Sequence, residues 1–251
     1  MTPIAHAITT VTQRLTLSTR DEARLECLAA RVAAGEPLQY VLGEAWFWGR
    51  CFKVDRRALI PRPETEELVQ RVLDDAELWR KPRPVMADVG VGTGCMVLTL
   101  AAERPQAELL GLDICPDALA LARENEVRLG LAGRVRWCQA DLLEGVPPGS
   151  LDAVVSNPPY IASGEIATLA EEVRAHEPRR ALDGGVDGLD LVRRLIAQAV
   201  LALRPGGRVW MEIGDEQGES ARHLLATAGL VQVETRRDLA GKPRMVEGVR
   251  P

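Results

Sequence analysis

From Pro84 onward, short apolar runs alternate with helical segments, and this alternation constrains the fold more than any other feature of the chain. The runs Val85–Val89, Leu109–Leu112, Val135–Cys138, Ala153–Ser156 and Val209–Ile213 have strand length and too few polar residues to leave one face in water. They suit strands buried on both faces of a parallel sheet. Helical patterns near 95–104, 116–129, 188–203 and 217–228 separate most of them and supply the crossovers that parallel strands need. Two more strands, near 230–236 and 244–249, are joined by a loop too short for a helical crossover, which implies an antiparallel pair. The expected fold is α/β: a doubly wound, Rossmann-like, seven-stranded sheet with an antiparallel last strand, binding ligands at the carboxyl ends of its strands.

Upstream, Ser18-Thr19 followed by Glu22 has capping-box spacing, and Leu25, Leu28, Ala29 and Val32 recur at helical intervals until Gly35 and Pro37. Residues 1–36 are therefore expected to form a small helical domain. Ala45–Trp48 and Cys51–Val54 flank Gly49-Arg50 as two strands of a hairpin, so residues 37–62 form a linker to the main domain, 63–251. Trp46 and Trp48 fit hairpin packing better than a peptide-binding platform. A helix is expected from Pro63, with Glu64, Glu66 and Glu67 at its positive end and Leu68, Val72 and Leu73 as an apolar stripe.

Composition narrows the function classes. The 31 basic and 36 acidic residues leave a net charge of −5, whereas a grip on a nucleic-acid backbone calls for a basic excess. No apolar stretch is long enough for a bilayer, and the amino terminus lacks a secretory pattern, so a cytoplasmic location is expected. The five cysteines form no close pair and there are three histidines, which suggests neither a zinc cage nor a disulfide framework. With so few residues for acid–base chemistry, an enzyme here has to act by positioning and electrostatics.

Asp88-Val89-Gly90-Val91-Gly92-Thr93-Gly94 joins the first strand of the alternation to a helix, where glycines permit a tight turn and close approach of a ligand to the backbone. The spacing is G-x-G-x-G, without the sixth-position glycine of the dinucleotide fingerprint, which disfavours a nicotinamide cofactor. Asp113 ends the next strand about 20 residues beyond the turn, where a ribose diol is bound in such folds. The competing reading has the glycines merely turning the chain and Asp113 capping the helix after Pro116. Asp141 ends the third strand in the same way and serves equally as a loop cap or as a contact to the base.

Asn157-Pro158-Pro159-Tyr160 follows the fourth strand, Leu151–Ser156, at or beside the topological switch point. Two prolines remove two backbone donors and keep Asn157 out of helical angles, so the Pro158 carbonyl can face outward beside the Asn157 side-chain oxygen. Two acceptors so arranged bind both hydrogens of a planar NH2 group, with Tyr160 packed on its face. An amide nitrogen is a poor nucleophile because its lone pair is delocalised; accepting its hydrogens and fixing its plane raises its electron density and aims it. A proline-rich turn is the bland alternative.

These residues give the chain a close resemblance to the HemK/PrmC family of protein-glutamine N5-methyltransferases, which modify peptide chain release factors. It runs from about residue 36 to the end, through PLQYVLG at 37–43, LIPRPETEELV at 59–69, SNPPYI at 156–161, EPRRALDGGVDGL at 177–189, EIG at 212–214 and DLAGKPR at 238–244. The resemblance implies a class I methyltransferase fold, S-adenosylmethionine as methyl donor with S-adenosylhomocysteine as product, and the glutamine of the release-factor Gly-Gly-Gln loop as acceptor. By position it assigns Gly90, Val91, Gly92, Thr93, Gly94, Asp113, Leu142 and Asn157 to the donor; Asp141 joins them on its strand-end position. Asn157, Pro158, Pro159 and Tyr160 are assigned to the glutamine, with Asn157, Pro158 and Tyr160 carrying the catalysis. Val91 stands where the family commonly has threonine.

Weaker candidates remain open. Pro61 to Glu66 serve equally to line the site or to start a helix, His176-Glu177-Pro178 as a flap or as a solvated loop, and Glu212 as an ordering group or an ordinary strand-end carboxylate. Among functions, the nearest rival is a nucleic-acid amino-methyltransferase acting on adenine or guanine, which requires a basic strand-binding surface or base flipping. A nucleotide-binding dehydrogenase leaves NPPY unexplained, and a catalytically silent scaffold has no use for the complete tetrad.

Overall fold

The structure, a computed structural model, describes residues 18–251; half of the expected amino-terminal helical domain, residues 1–17, lies outside the described residues. The chain forms α1 (Thr19–Ala33), α2 (Leu38–Leu42), the strands β1 (Glu44–Phe47) and β2 (Arg50–Lys53), α3 (Pro63–Leu73) and α4 (Ala76–Trp79). It continues through β3 (Val85–Val89), α5 (Cys95–Glu103), β4 (Glu108–Asp113), α6 (Pro116–Arg128), β5 (Val135–Gln139) and β6 (Leu151–Ser156). The last part comprises α7 (Glu171–His176), α8 (Asp190–Ala202), β7 (Leu203–Glu212), α9 (Gly218–Thr227), β8 (Val231–Arg237) and β9 (Pro243–Val249).

Seven strands form one sheet in the order β5-β4-β3-β6-β7-β9-β8. β3 to β7 pair in parallel, and β9 runs antiparallel to both β7 and β8. The final strand is the one that reverses direction, as expected, and it inserts between β7 and β8. Side chains alternate to two apolar layers. Met86, Leu109, Ala153 and Val155 pack with α3, α5 and α6 on one face. Ala87, Val89, Leu112, Val154, Val209 and Met211 pack with α8 and α9 on the other. Every residue of β6 is buried, including Asp152, which pairs with Lys81 and Arg204, and burial on both faces accounts for the apolar run Ala153–Val155. No helix among the described residues is long and apolar enough to cross a membrane.

The amino-terminal details depart from the local reading in two places. Ser18 caps α1: its Oγ accepts from the Asp21 N–H (3.2 Å) and donates to Asp21 Oδ2 (2.6 Å), so Asp21 takes the place expected of Glu22. The hairpin turn is Trp48-Gly49, one residue earlier than expected, because a two-residue turn that matches strand twist needs positive φ at both centres; here they are 51° and 67°. The Trp48 N–H donates to Glu66 Oε1 (2.7 Å), which holds the tryptophan in this unusual conformation. Phe47 and Phe52 meet edge to face at 6.1 Å in the core beside Trp48, while Trp46 is 70% exposed and packs little. β7 also starts earlier than expected, at Leu203, with an irregularity where it passes from Leu151 to Ala153 on β6.

Candidate active site

β3 sits between β4 and β6, and the turns leaving β3 and β6 open at the switch point of the sheet. After β3 the N–H groups of Gly90 and Val91 both donate to the Leu112 carbonyl (2.8 and 3.1 Å), pinning the glycine turn to β4. Gly94 has φ +79°, and a side chain there would press on Leu98 and Ala122 at 3.1 and 3.2 Å, so a glycine both sets the turn and lets α5 pack. The buried Asn125 of α6 donates to the Thr93 carbonyl (2.9 Å) and bonds the backbone of Lys53, fixing the turn and β2 with one side chain.

A cleft lies over these strand ends. Its wall brings together Gly90, Val91, Gly92, Thr93, Asp113, Asp141, Leu142, Asn157 and Pro159 of the expected site. Gly94, Pro158 and Tyr160 do not line it. Asp113 Oδ2 accepts from the Gly92 N–H (3.0 Å) and Oδ1 from the Cys115 N–H (2.8 Å), so it ties the two turns together instead of capping the first turn of α6. Burial raises the Asp113 pKa, opposed by those two N–H bonds and by the Arg180 guanidinium. Asp141 pairs with Arg194 of α8 (2.6 Å) at the far wall, and Leu142 beside it adopts φ 58°.

Local pattern alone missed several groups at this site. Asp88 lies beneath the glycine turn, with Oδ2 accepting from Val97 N–H (3.0 Å) and Oδ1 buried without a partner. Burial pushes its pKa up to about 8. Ile114 is 57% exposed on the cleft wall beside Asp113. The signal was available, since an apolar residue directly after a strand-end carboxylate has no core to enter. Cys95 also lines the cleft, but burial pushes its thiol up to about 12, too high for a nucleophile at neutral pH.

Behind Asn157 the polar groups form a chain. Asn157 Nδ2 donates to Thr65 Oγ1 (3.1 Å), Thr65 Oγ1 donates to Glu212 Oε2 (2.6 Å), and the Tyr160 hydroxyl donates to Glu212 Oε1 (3.3 Å). Tyr160 is therefore held by its hydroxyl against the end of β7. The tetrad's backbone is fixed by Gln217, whose Nε2 donates to the Tyr160 carbonyl (2.8 Å). Two glycines of the 184–188 segment pass so close that a side chain at either would meet a tetrad carbonyl, Pro159 O at 2.7 Å or Tyr160 O at 2.2 Å. Glu177 is buried, pairs with Arg62 and accepts from Ile60 N–H (3.2 Å), which joins the 176–181 segment to the 60–62 loop across the cleft. Pro178, Arg180 and Ala181 line the cleft beyond it, and His176 Nδ1 meets the Arg56 guanidinium (2.8 Å).

The five cysteines are free, and no cluster of three or more His, Cys, Asp or Glu among the described residues is placed to hold a metal. The profile of the methyltransferase small domain matches residues 67–186. A release factor glutamine methyltransferase of Cereibacter sphaeroides is 43% identical, with 99% of this chain and 89% of that protein aligned. One of Deinococcus radiodurans is 44% identical over 91% of this chain and 80% of its own length. Among solved structures, a methyltransferase from Pyrococcus furiosus superposes with a TM-score of 0.58 at 17% identity, covering 93% of this chain and 99% of the other. A 16S rRNA methyltransferase of T. thermophilus in complex with AdoMet and guanosine gives 0.59 at 16% identity, over 83% and 50%. At such identities the two structures establish a common methyltransferase fold.

Proposed function

The chain belongs to the release factor glutamine methyltransferases, and on that premise we propose that it transfers a methyl group from S-adenosylmethionine to the side-chain amide nitrogen of the glutamine in the Gly-Gly-Gln motif of peptide chain release factors. The observation that supports this reading best is the setting of Asn157. Its NH2 is spent on Thr65, so its oxygen is left as an acceptor beside a cleft at the switch point of the sheet. Such an acceptor suits an N–H of a planar amide, with the Pro158 carbonyl as the second acceptor and Tyr160 supporting the pair.

The residues present fit the donor. The Gly90–Gly94 turn, with Val91 and Thr93 in its wall, gives the backbone approach; Asp113 takes the ribose hydroxyls; Asp141, Leu142 and the exposed Ile114 frame the base. Asp88 Oδ1, buried beneath the turn without a partner, becomes an acceptor when a nearby cationic group lowers its raised pKa. S-adenosylmethionine supplies an electrophilic methyl group on a sulfonium. The protein's part is to hold the amide nitrogen in line, accept its hydrogens so that its lone pair becomes available, and exclude water. No histidine base is called for, because the proton of the methylated amide can pass to solvent after transfer.

The test is incubation with labelled S-adenosylmethionine and a purified release factor, beside a copy whose Gly-Gly-Gln glutamine is replaced. A mass gain on the glutamine peptide, absent from the altered copy, is expected; no transfer despite demonstrated donor binding overturns the reading. Asp113→Ala is expected to weaken donor binding roughly 10- to 100-fold, the scale of one or two hydrogen bonds to a charged group. Unchanged donor affinity by calorimetry removes Asp113 from the ribose.

A further inference from the structure

We propose that Thr65 and Glu212 are positioning residues that fix which way the Asn157 amide faces. The inference rests on the reading above and deepens it. Three separate elements meet here: Thr65 from the first turn of α3, Glu212 from the end of β7, and Asn157 with Tyr160 from the loop after β6. Thr65 is 3% and Glu212 1% exposed, so water does not compete for their bonds.

The directions of the bonds carry the argument. A hydroxyl has one proton. Thr65 gives it to Glu212 Oε2 at 2.6 Å, while Tyr160 gives its own to Oε1 at 3.3 Å, so each carboxylate oxygen receives one donor. Thr65 Oγ1 then faces Asn157 only as an acceptor, and only the NH2 end of the Asn157 amide can lie against it. The oxygen end is left for the ligand. Were Glu212 protonated toward Thr65, the hydroxyl would be free to donate to Asn157, and the amide would be better satisfied the other way round. It would then offer the substrate NH2 a donor in place of an acceptor. A carboxylate that never touches the substrate thereby sets the polarity of the group that does.

The ionisation of Glu212 is balanced by its neighbours. Burial raises its pKa to about 7, while Thr65, Arg244 of β9 and the Tyr160 hydroxyl favour the charged form and Glu64 opposes it. The Cys95 thiol also faces it and stays neutral. With a folded pKa near neutrality, the carboxylate that orients Asn157 is complete above it and lost as pH falls through it, so the turnover rate is expected to fall on the acid side of about 7.

The experiment compares wild type, Thr65→Val, Thr65→Ser and Glu212→Gln for kcat, release-factor KM and S-adenosylhomocysteine affinity, with melting curves to show that each is folded. Thr65→Val keeps the shape and loses the hydroxyl; kcat is expected to fall roughly 10- to 100-fold, with KM and donor affinity within about threefold, and Thr65→Ser to restore kcat to within about threefold. Glu212→Gln is expected to lower kcat and abolish the acid-side fall. A Thr65→Val enzyme at the wild-type rate, or a Thr65→Ser enzyme as slow as Thr65→Val, overturns the proposal. A second readout does not depend on the acceptor. The Asn157 side-chain NH2 protons, followed by NMR with 15N labelling, should be protected in wild type and lose protection in Thr65→Val; equal exchange in both overturns the proposal. Wild type that methylates no release factor, yet shows the protection, defeats the functional reading and leaves the relay standing.

Discussion

Asn157→Ala is expected to fold, to change donor affinity by no more than a few-fold, and to transfer methyl groups roughly two to three orders of magnitude more slowly than wild type, the loss seen when one preorganised hydrogen-bonding group is removed from a reaction centre. The following proline confines the backbone at 157 to extended angles whatever the side chain, and Ser156, whose Oγ donates to the Val89 carbonyl (2.6 Å), keeps the end of β6 in place. What is lost is the acceptor for an amide N–H at the stage when nitrogen gains positive character. Asn157→Asp sharpens the test. It preserves shape and an acceptor, but places an oxygen against Thr65 Oγ1, whose only proton is held by Glu212. Two acceptors then face each other, and the variant is expected to be nearly as slow as Asn157→Ala. Single-turnover rates with saturating donor, set beside calorimetric donor affinities, separate this from a binding defect. A near-wild-type rate for Asn157→Ala removes the residue from catalysis.

The parts of this architecture that obey local rules were visible in the sequence. The apolar runs became strands because both faces of β3, β4 and β6 are covered, and the turn glycines declared themselves by spacing. NPPY was legible for the same reason: proline restricts its own backbone and its neighbour's. The partners of those groups were not. Thr65 is 92 residues from Asn157 and Glu212 is 147 from Thr65, so their meeting depends on how α3 crosses the ends of β6 and β7, which no local preference encodes. The same is true of β9. Its antiparallel pairing with β8 followed from a short loop, but its insertion beside β7 is a pairing between strands distant in sequence. Short helices such as α2, α4 and α7 left little periodic signal, because four to six residues complete fewer than two turns. At Trp48 the hairpin's twist overrode residue preference, and the hydrogen bond its N–H donates to Glu66, 18 residues away, made the exception tolerable.

Gly188→Ala is expected to cost both stability and rate, because this glycine answers to two constraints at once. Its φ of +74° lies in the left-handed region, where a Cβ is penalised by about 1–2 kcal/mol. A Cβ there would also stand 2.2 Å from the Tyr160 carbonyl oxygen and 2.6 Å from Gln217 Nε2. Neither neighbour can yield cheaply. The Tyr160 carbonyl accepts from Gln217 Nε2 at 2.8 Å, and Gln217 Oε1 in turn accepts from the Gly214 N–H at 2.9 Å, so relief must come from moving the tetrad's backbone. Adding an overpacking cost of about 1–3 kcal/mol to the strain gives roughly 2–5 kcal/mol of lost stability. At about 2–4 °C per kcal/mol for a chain of this size, the melting temperature should fall by roughly 4–20 °C. Displacing Asn157 and Pro158 by about 1 Å should slow transfer by about 100-fold, since the reaction depends on alignment more than on any acid or base. Gly229→Ala provides the control. It has φ +89° with nothing within 4 Å of the added Cβ, in the turn between α9 and β8, so it carries the backbone strain without the collision. It should lose about 1–2 kcal/mol and retain its rate. If both variants lose rate equally, or if Gly188→Ala transfers methyl groups at the wild-type rate while folded, the close passage of the 184–188 segment is not what sets the tetrad's position.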